Sequence, residues 1–88
     1  MCTEKSSYYS NEELHVRFAS PSNNDIPLCI TWSNEKFNTK KVIEIPNDTR
    51  CKNSIVTSYP VPGKYLIKVF YKNSFGIYCS EPIDILIE

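Results

Sequence analysis

The chain has little glycine, little histidine and no long apolar run. Its 88 residues include two glycines and one histidine, and its 10 basic side chains balance its 10 acidic ones. Balanced charge favours neither nucleic acid nor an acidic membrane as a partner. No apolar stretch is long enough to cross a bilayer. No basic segment followed by an apolar one lies behind Met1, so we expect no signal peptide in this sequence. Strand-like sequence begins near the start of the chain and runs to its last residues. We therefore expect one small domain, residues 1–88, excised from a larger protein.

Residues that support catalysis are scarce as well. His15 is the only histidine, and its alternation with Leu14 and Val16 predicts that it points into solvent. The sequence holds no glycine-rich phosphate loop and no nucleophile elbow around a serine. We predict that the chain is not an enzyme and that it holds no cofactor.

Four cysteines are present, at Cys2, Cys29, Cys51 and Cys79. Their wide spacing lacks the close ligand pairs of structural zinc sites. The favoured interpretation is that they form two disulfides, or one disulfide with two free thiols. The alternative is that they are reduced, buried cysteines in a cytosolic protein. Of the three possible connectivities we prefer Cys2–Cys79 with Cys29–Cys51. A first strand beside the last one would bring Cys2 near Cys79.

A glycosylation sequon adds a second indication of compartment. Asn47 is followed by Asp48 and Thr49 in a segment rich in turn-forming residues, which makes Asn47 a glycosylation candidate. Together with the cysteines it favours an extracellular or cell-surface location reached by the secretory pathway.

The strongest structural pattern is an alternating segment after Gly63. Tyr65, Ile67, Val69 and Tyr71 share one face, and three lysines lie on the other. A period of two with one charged face predicts a half-buried strand in an antiparallel sheet. Shorter alternating segments occupy residues 14–18, 28–32, 40–45, 54–59 and 83–87. With no helical period anywhere, the pattern predicts an all-β antiparallel sandwich of about seven strands.

Three segments resemble the immunoglobulin-like sandwich, and in particular its polycystic-kidney-disease (PKD) type. They are residues 15–20, residues 30–32 with Trp32, and residues 56–76, where the matching positions are Tyr59, Gly63, Tyr65, Asn73 and Gly76. Fibronectin type III domains share much of this pattern. After Trp32 the chain departs from the PKD type, because residues 33–36 carry a single carboxylate. That departure also disfavours calcium, which binds several oxygen ligands.

The resemblance implies a non-catalytic module, and the alternation indicates where it would bind. Lys64, Leu66, Lys68 and Phe70 are expected to point away from the core, and Leu86 has the same outward parity in the last strand. An outward apolar group ringed by lysine is typical of contact with a protein partner or a neighbouring domain. The alternative is that residues 33–39, which include Phe37, fold over it.

The favoured function is protein–protein contact or spacing in a cell-surface or secreted protein. One alternative is an accessory module of the carbohydrate-binding type, for which Tyr8, Tyr9 and Tyr78 are the candidate aromatics. Another is a small secreted effector. For Trp32 we predict a place in the core. For Tyr59 or Tyr65 we predict a hydrogen bond from the hydroxyl to nearby backbone, as in a tyrosine corner.

Overall fold

The computed structural model describes residues 1–18, 24–46 and 54–88, and every regular element in them is a β-strand. The strands are β1 (Cys2–Thr3), β2 (Ser7–Tyr8), β3 (Leu14–Arg17), β4 (Ile26–Asn34), β5 (Thr39–Glu44), β6 (Ser54–Thr57), β7 (Gly63–Asn73), β8 (Gly76–Cys79) and β9 (Ile83–Ile87). This confirms the predicted all-β class. The described residues contain no helix long and apolar enough to cross a membrane.

The strands form two sheets. The smaller sheet has the order β1-β3-β6, and the larger has the order β2-β9-β7-β4-β5, with β8 also paired to β7. Neighbouring strands run antiparallel, except that β2 runs parallel to β9. The chain therefore leaves the small sheet after β1 and joins the large sheet as β2.

The core lies where the inward faces of the two sheets meet. Apolar side chains fill the core, because every second residue of the central strands is apolar and points inward. The buried side chains are Tyr8, Leu14, Val16, Phe18, Ile30, Trp32, Ile45, Tyr65, Ile67, Val69, Tyr71, Ile85 and Ile87. Trp32 of the large sheet is fully buried, as predicted, and its indole Nε1 donates to Thr57 Oγ1 of the small sheet at 3.0 Å. That bond satisfies the indole N–H inside the core.

A tyrosine corner closes the start of β7. Tyr65 Oη donates to the carbonyl of Val61 at 2.8 Å, which confirms the predicted contact. Gly63 lies between them with φ +150°, and a β-carbon there would meet Tyr65 Oη at 3.4 Å. The contact is an ordinary one, but the positive φ would strain any larger residue. The Tyr65 ring packs edge-on against Trp32, with centroids 5.7 Å apart.

β7 is the central strand of the large sheet. Its 11 residues pair with β4 on one side, and with β9 and then β8 on the other. Ser80 bridges the gap between β8 and β9. Its N–H donates to the Val69 carbonyl at 2.9 Å, and its Oγ accepts from the Val69 N–H at 3.0 Å. This interruption changes the phase of the alternation, so that Cys79 is exposed while Ile85 is buried.

Candidate partner-binding face

The outer face is the solvent side of the six-stranded sheet, and β7 forms its centre. Leu66, Lys68 and Phe70 are half-buried there, and Lys64 and Lys72 are exposed. The residues between them are buried in the core. The structure thus places all the predicted β7 residues on one solvent-side face, as the alternation requires.

The three predicted apolar residues do not form one patch. Leu66 lies opposite Asp84 of β9, and Leu86 lies opposite Lys64, so Leu66 and Leu86 are diagonal neighbours. Leu86 keeps 38% of its surface exposed. Phe70 is four residues along β7 from Leu66, about 13 Å away at the rise of a strand. On the outer face, the lysines of β7 therefore lie between the apolar side chains.

The β4–β5 turn adds an aromatic ring to this face. Phe37 N–H donates to the Asn34 carbonyl at 2.9 Å, and Asn34 Oδ1 accepts from the N–H groups of Lys36 and Asn38 at 3.0 and 2.9 Å. These bonds hold Phe37 at φ 64°, the left-handed region that suits glycine or asparagine and is an outlier for a bulky residue.

The Phe37 ring lies beside β7 and remains open to solvent. It is 62% exposed, and Lys68 Nζ lies 5.1 Å from its centroid, within cation–π range. A cavity of about 460 Å³ lies beside the turn, lined by Glu35, Phe37, Lys64, Tyr65, Leu66 and Asp84. The turn therefore extends the outer face and leaves Leu66 at the wall of an open pocket.

Sequence reasoning missed the apolar side chains at the other end of the outer face. Ile26 of β4 and Ile77 of β8 lie on either side of Lys72, and they are 44% and 64% exposed. Both residues are next to turn-forming segments, where a pattern of alternation is too short to assign a face. Phe75, at the tip of the β7–β8 hairpin, is 97% exposed.

The described cysteines are free thiols. Cys2 and Cys79 are exposed and Cys29 is half-buried. The predicted Cys2–Cys79 bond is not formed, because β1 pairs in the small sheet, where Cys2 lies opposite Arg17, and Cys79 pairs in the large sheet opposite Phe70. Cys51 and the sequon residue Asn47 lie outside the described residues, and with them the predicted Cys29–Cys51 pair.

Cys29 lies on the outer face, as predicted, and it shares a cross-strand row with Phe70 and Cys79. Burial raises the pKa of its thiol, and Glu44 on the neighbouring strand raises it further. With β7 between them, Cys29 and Cys79 are two strand spacings apart, about 9.5 Å, which is too far for a disulfide.

The other candidate residues lie apart from the outer face. His15 is exposed on β3, opposite Val56 of β6. Within the described ranges, no group of three or more His, Cys, Asp or Glu side chains could hold a metal ion.

The candidate sugar-binding tyrosines do not form an exposed row. Tyr8 is buried in the core and Tyr9 is 69% exposed. Tyr78 is half-buried, and its ring stacks on Tyr71 with centroids 5.4 Å apart.

Comparison with protein-family models, curated protein sequences and solved structures gives no match. The outer face is therefore interpreted from its own residues and geometry.

Proposed function

We propose that the chain is a non-catalytic immunoglobulin-like module, nearest the PKD type, which acts by protein–protein contact through its outer face. The buried Trp32 bonded across the sheets and the tyrosine corner at Tyr65 support this fold family. The Asn47 sequon supports a place in a cell-surface or secreted protein.

The single observation that carries the contact function is Phe37. A non-glycine residue in the left-handed region costs about 1–2 kcal/mol, and the ring it presents is 62% exposed. In the isolated chain the cation–π contact of the ring with Lys68 offsets part of this cost. Such a contact stabilises an exposed site by about 0.5–1 kcal/mol. Exposed aromatics held in fixed positions are typical of binding surfaces. Backbone strain at such a position is found where function requires it.

The charges of β7, at the centre of the outer face, indicate the chemistry of the partner surface that would lie on this strand. Lys64, Lys68 and Lys72 alternate with Leu66 and Phe70 along β7. We expect a protein surface whose apolar side chains fit between the lysines and whose carboxylates face them. Such charges at the rim of an interface speed association and make it sensitive to salt.

The size of the face fits a protein contact. The molecule measures 38 × 26 × 17 Å, and the outer face is the solvent side of its larger sheet. A standard interface buries about 800 Å² on each partner, which a side of this size provides.

The experiment measures the binding of wild type and of two outer-face variants, Leu66→Glu and Phe37→Gly, to an array of purified cell-surface and secreted proteins from the source organism. Leu66→Glu places a charge at the pocket wall and should weaken a specific interaction at least about tenfold. Val56→Glu is the control, because it adds the same charge at a side chain that is 48% exposed on the small sheet, away from the outer face. A partner that binds Leu66→Glu as tightly as wild type would contradict the proposal.

Phe37→Gly separates binding from folding. Glycine relieves the left-handed strain, so the thermal midpoint should stay level or rise, while binding of the same partner is lost. A fall of several degrees in the midpoint would assign Phe37 a structural role instead.

A further inference from the structure

The β7–β8 hairpin ends in an aromatic ring that no described residue covers. Phe75 lies at the tip and is 97% exposed. Its backbone is held in place, because the Phe75 N–H donates to Asn73 Oδ1 at 2.8 Å and Asn73 Nδ2 donates to Asp25 Oδ1 at 2.9 Å. Asp25 is buried, so two successive hydrogen bonds tie the tip to the body of the domain. The hairpin therefore presents the ring to solvent from a fixed backbone.

The surroundings of this tip are apolar and basic. Ile26 and Ile77 are 44% and 64% exposed, and they lie on either side of Lys72. Lys72 is exposed, and no described residue forms an ion pair with it. A surface of this kind fits a partner that offers an apolar recess with carboxylates at its rim.

The chain itself contains such a recess, the open pocket beside the β4–β5 turn. Its volume is about 460 Å³, its apolar walls are Phe37, Tyr65 and Leu66, and its carboxylates are those of Glu35 and Asp84. An apolar cavity of about 150 Å³ already accommodates a benzene ring, so the pocket has room for a phenylalanine. Both acidic residues are exposed, and no described residue forms an ion pair with either.

We propose that Phe75 of one copy of the chain inserts into this pocket of a second copy, with Lys72 facing Glu35 and Asp84 at the rim. Lys64 also lines the pocket, but the two carboxylates outnumber it, so the pocket favours an incoming cation. The inference rests on the proposed contact function of the outer face, since it names one occupant of the pocket on that face.

The tip and the pocket lie at opposite ends of the molecule. Tyr65 and Leu66 of the pocket are near the start of β7, and Phe75 follows the end of that strand. The 11 residues of β7 span about 33 Å, which only the longest dimension of the molecule, 38 Å, accommodates. A copy therefore cannot fill its own pocket, and each contact leaves one tip and one pocket free. Such a heterologous contact adds further molecules head to tail.

A closed pair of copies is disfavoured by charge. Two copies with their outer faces together and their β7 strands antiparallel could exchange tips. The two-fold axis would then lie near Phe70, midway between Leu66 and Phe75 along β7. That axis sets Lys68 of each copy against Lys72 of the other, and such like-charge contacts oppose association.

The test is sedimentation velocity of the full chain at concentrations up to about 1 mM, because a contact built on one ring is smaller than a standard interface. Wild type should associate reversibly into species larger than a dimer. Phe75→Ser removes the ring, and Leu66→Lys places a cation in the pocket wall, so each variant alone should associate at least about tenfold more weakly. Val56→Lys is the control, because it adds the same charge on the small sheet and should associate as wild type does.

An equimolar mixture of Phe75→Ser and Leu66→Lys gives the sharpest result. The intact tip of Leu66→Lys meets the intact pocket of Phe75→Ser, so a heterodimer should form within about threefold of the wild-type affinity for one contact. Growth should stop there, because the remaining tip and pocket are both altered. Lys72→Glu sets a third carboxylate beside the two of the pocket and should weaken wild-type association at least about threefold.

Three outcomes overturn the inference: a wild type that stays monomeric at the highest concentration, a wild type whose largest species is a closed dimer, or a mixture that does not associate. The proposed function is tested separately. Phe75→Ser keeps Phe37 and Leu66, so a partner found on the protein array should bind this variant as tightly as wild type even though the variant no longer self-associates.

Discussion

Tyr65→Phe tests the hydrogen bond that closes the start of β7. The substitution removes the hydroxyl that donates to the Val61 carbonyl at 2.8 Å and keeps the ring that packs against Trp32 and Tyr59. Tyr65 is 6% exposed, so its ring contacts should survive the change. The measured loss then reports the hydroxyl alone.

The expected cost is about 1–1.5 kcal/mol, the usual net value of a protein hydrogen bond. A larger cost is not expected, because Val61 is 53% exposed and water can reach its carbonyl once the hydroxyl is gone. For a domain of this size, about 1 kcal/mol shifts the thermal midpoint by roughly 4–8 °C. We therefore expect Tyr65→Phe to melt roughly 4–12 °C below wild type.

The assay is urea and thermal unfolding followed by the fluorescence of Trp32. The matched control is Tyr59→Phe, which removes a hydroxyl from the neighbouring ring of the same cluster and should change the free energy of unfolding by less than about 0.5 kcal/mol. Equal losses in the two variants, or no loss in Tyr65→Phe, would refute a stabilising role for the corner.

The same hydroxyl predicts a pH dependence. Burial raises the pKa of Tyr65 above its ordinary value of 10.0, with a further contribution from Tyr59. Because the folded-state pKa is raised, the protonated Tyr65 hydroxyl contributes to the free energy of unfolding. That contribution is fully present below the unfolded-state pKa and is lost as pH rises through the folded-state pKa. Wild type should therefore lose more stability than Tyr65→Phe when pH is raised above about 10.

Three further predictions concern separate contacts. Thr57→Val leaves the buried indole N–H of Trp32 without its acceptor and should cost about 1–3 kcal/mol in urea unfolding; a neutral effect would mean that another acceptor replaces it. Lys5 holds the pKa of Glu12 below 4.5 by a hydrogen bond. Lys5→Met should raise that pKa in an NMR titration, and the pair's contribution to stability should be lost as pH falls through the folded-state pKa. Cys29 should react with a thiol reagent more slowly than the exposed Cys2 and Cys79, because burial raises its pKa; faster reaction would contradict its placement.

The strands were predictable because alternation is a local property of the chain. Tyr65, Ile67 and Val69 recur at period two, and a strand sends them all to one face whatever lies beside it. The same reasoning placed His15 in solvent, where the structure has it. It failed at interruptions: between Ser80 and Pro82 the phase changes, so Cys79 is exposed although it shares the parity of inward Ile83.

The sequence predicted which residues lie on the outer face better than it predicted how far apart they lie. Alternation gives the side of the sheet but not the distance along it, so Leu66 and Phe70 share a face without touching. Which strand lies beside β7 depends on long-range pairing, and that pairing places Asp84 next to Leu66. The orientation of Phe37 depends on a turn whose bonds come from Asn34, and no periodic pattern extends into such a turn.

Ser80 has a consequence for the order in which the molecule opens. By bonding Val69 on both its N–H and its carbonyl, Ser80 fills the gap between β8 and β9, and β7 is covered on both edges. Amide protons in such a strand exchange with deuterium only when the surrounding unit unfolds. The slowest protons of β7 should therefore measure the global free energy of unfolding. Ser80→Ala should release the Val69 proton to local exchange while the protons of Ile67 and Tyr71 stay protected.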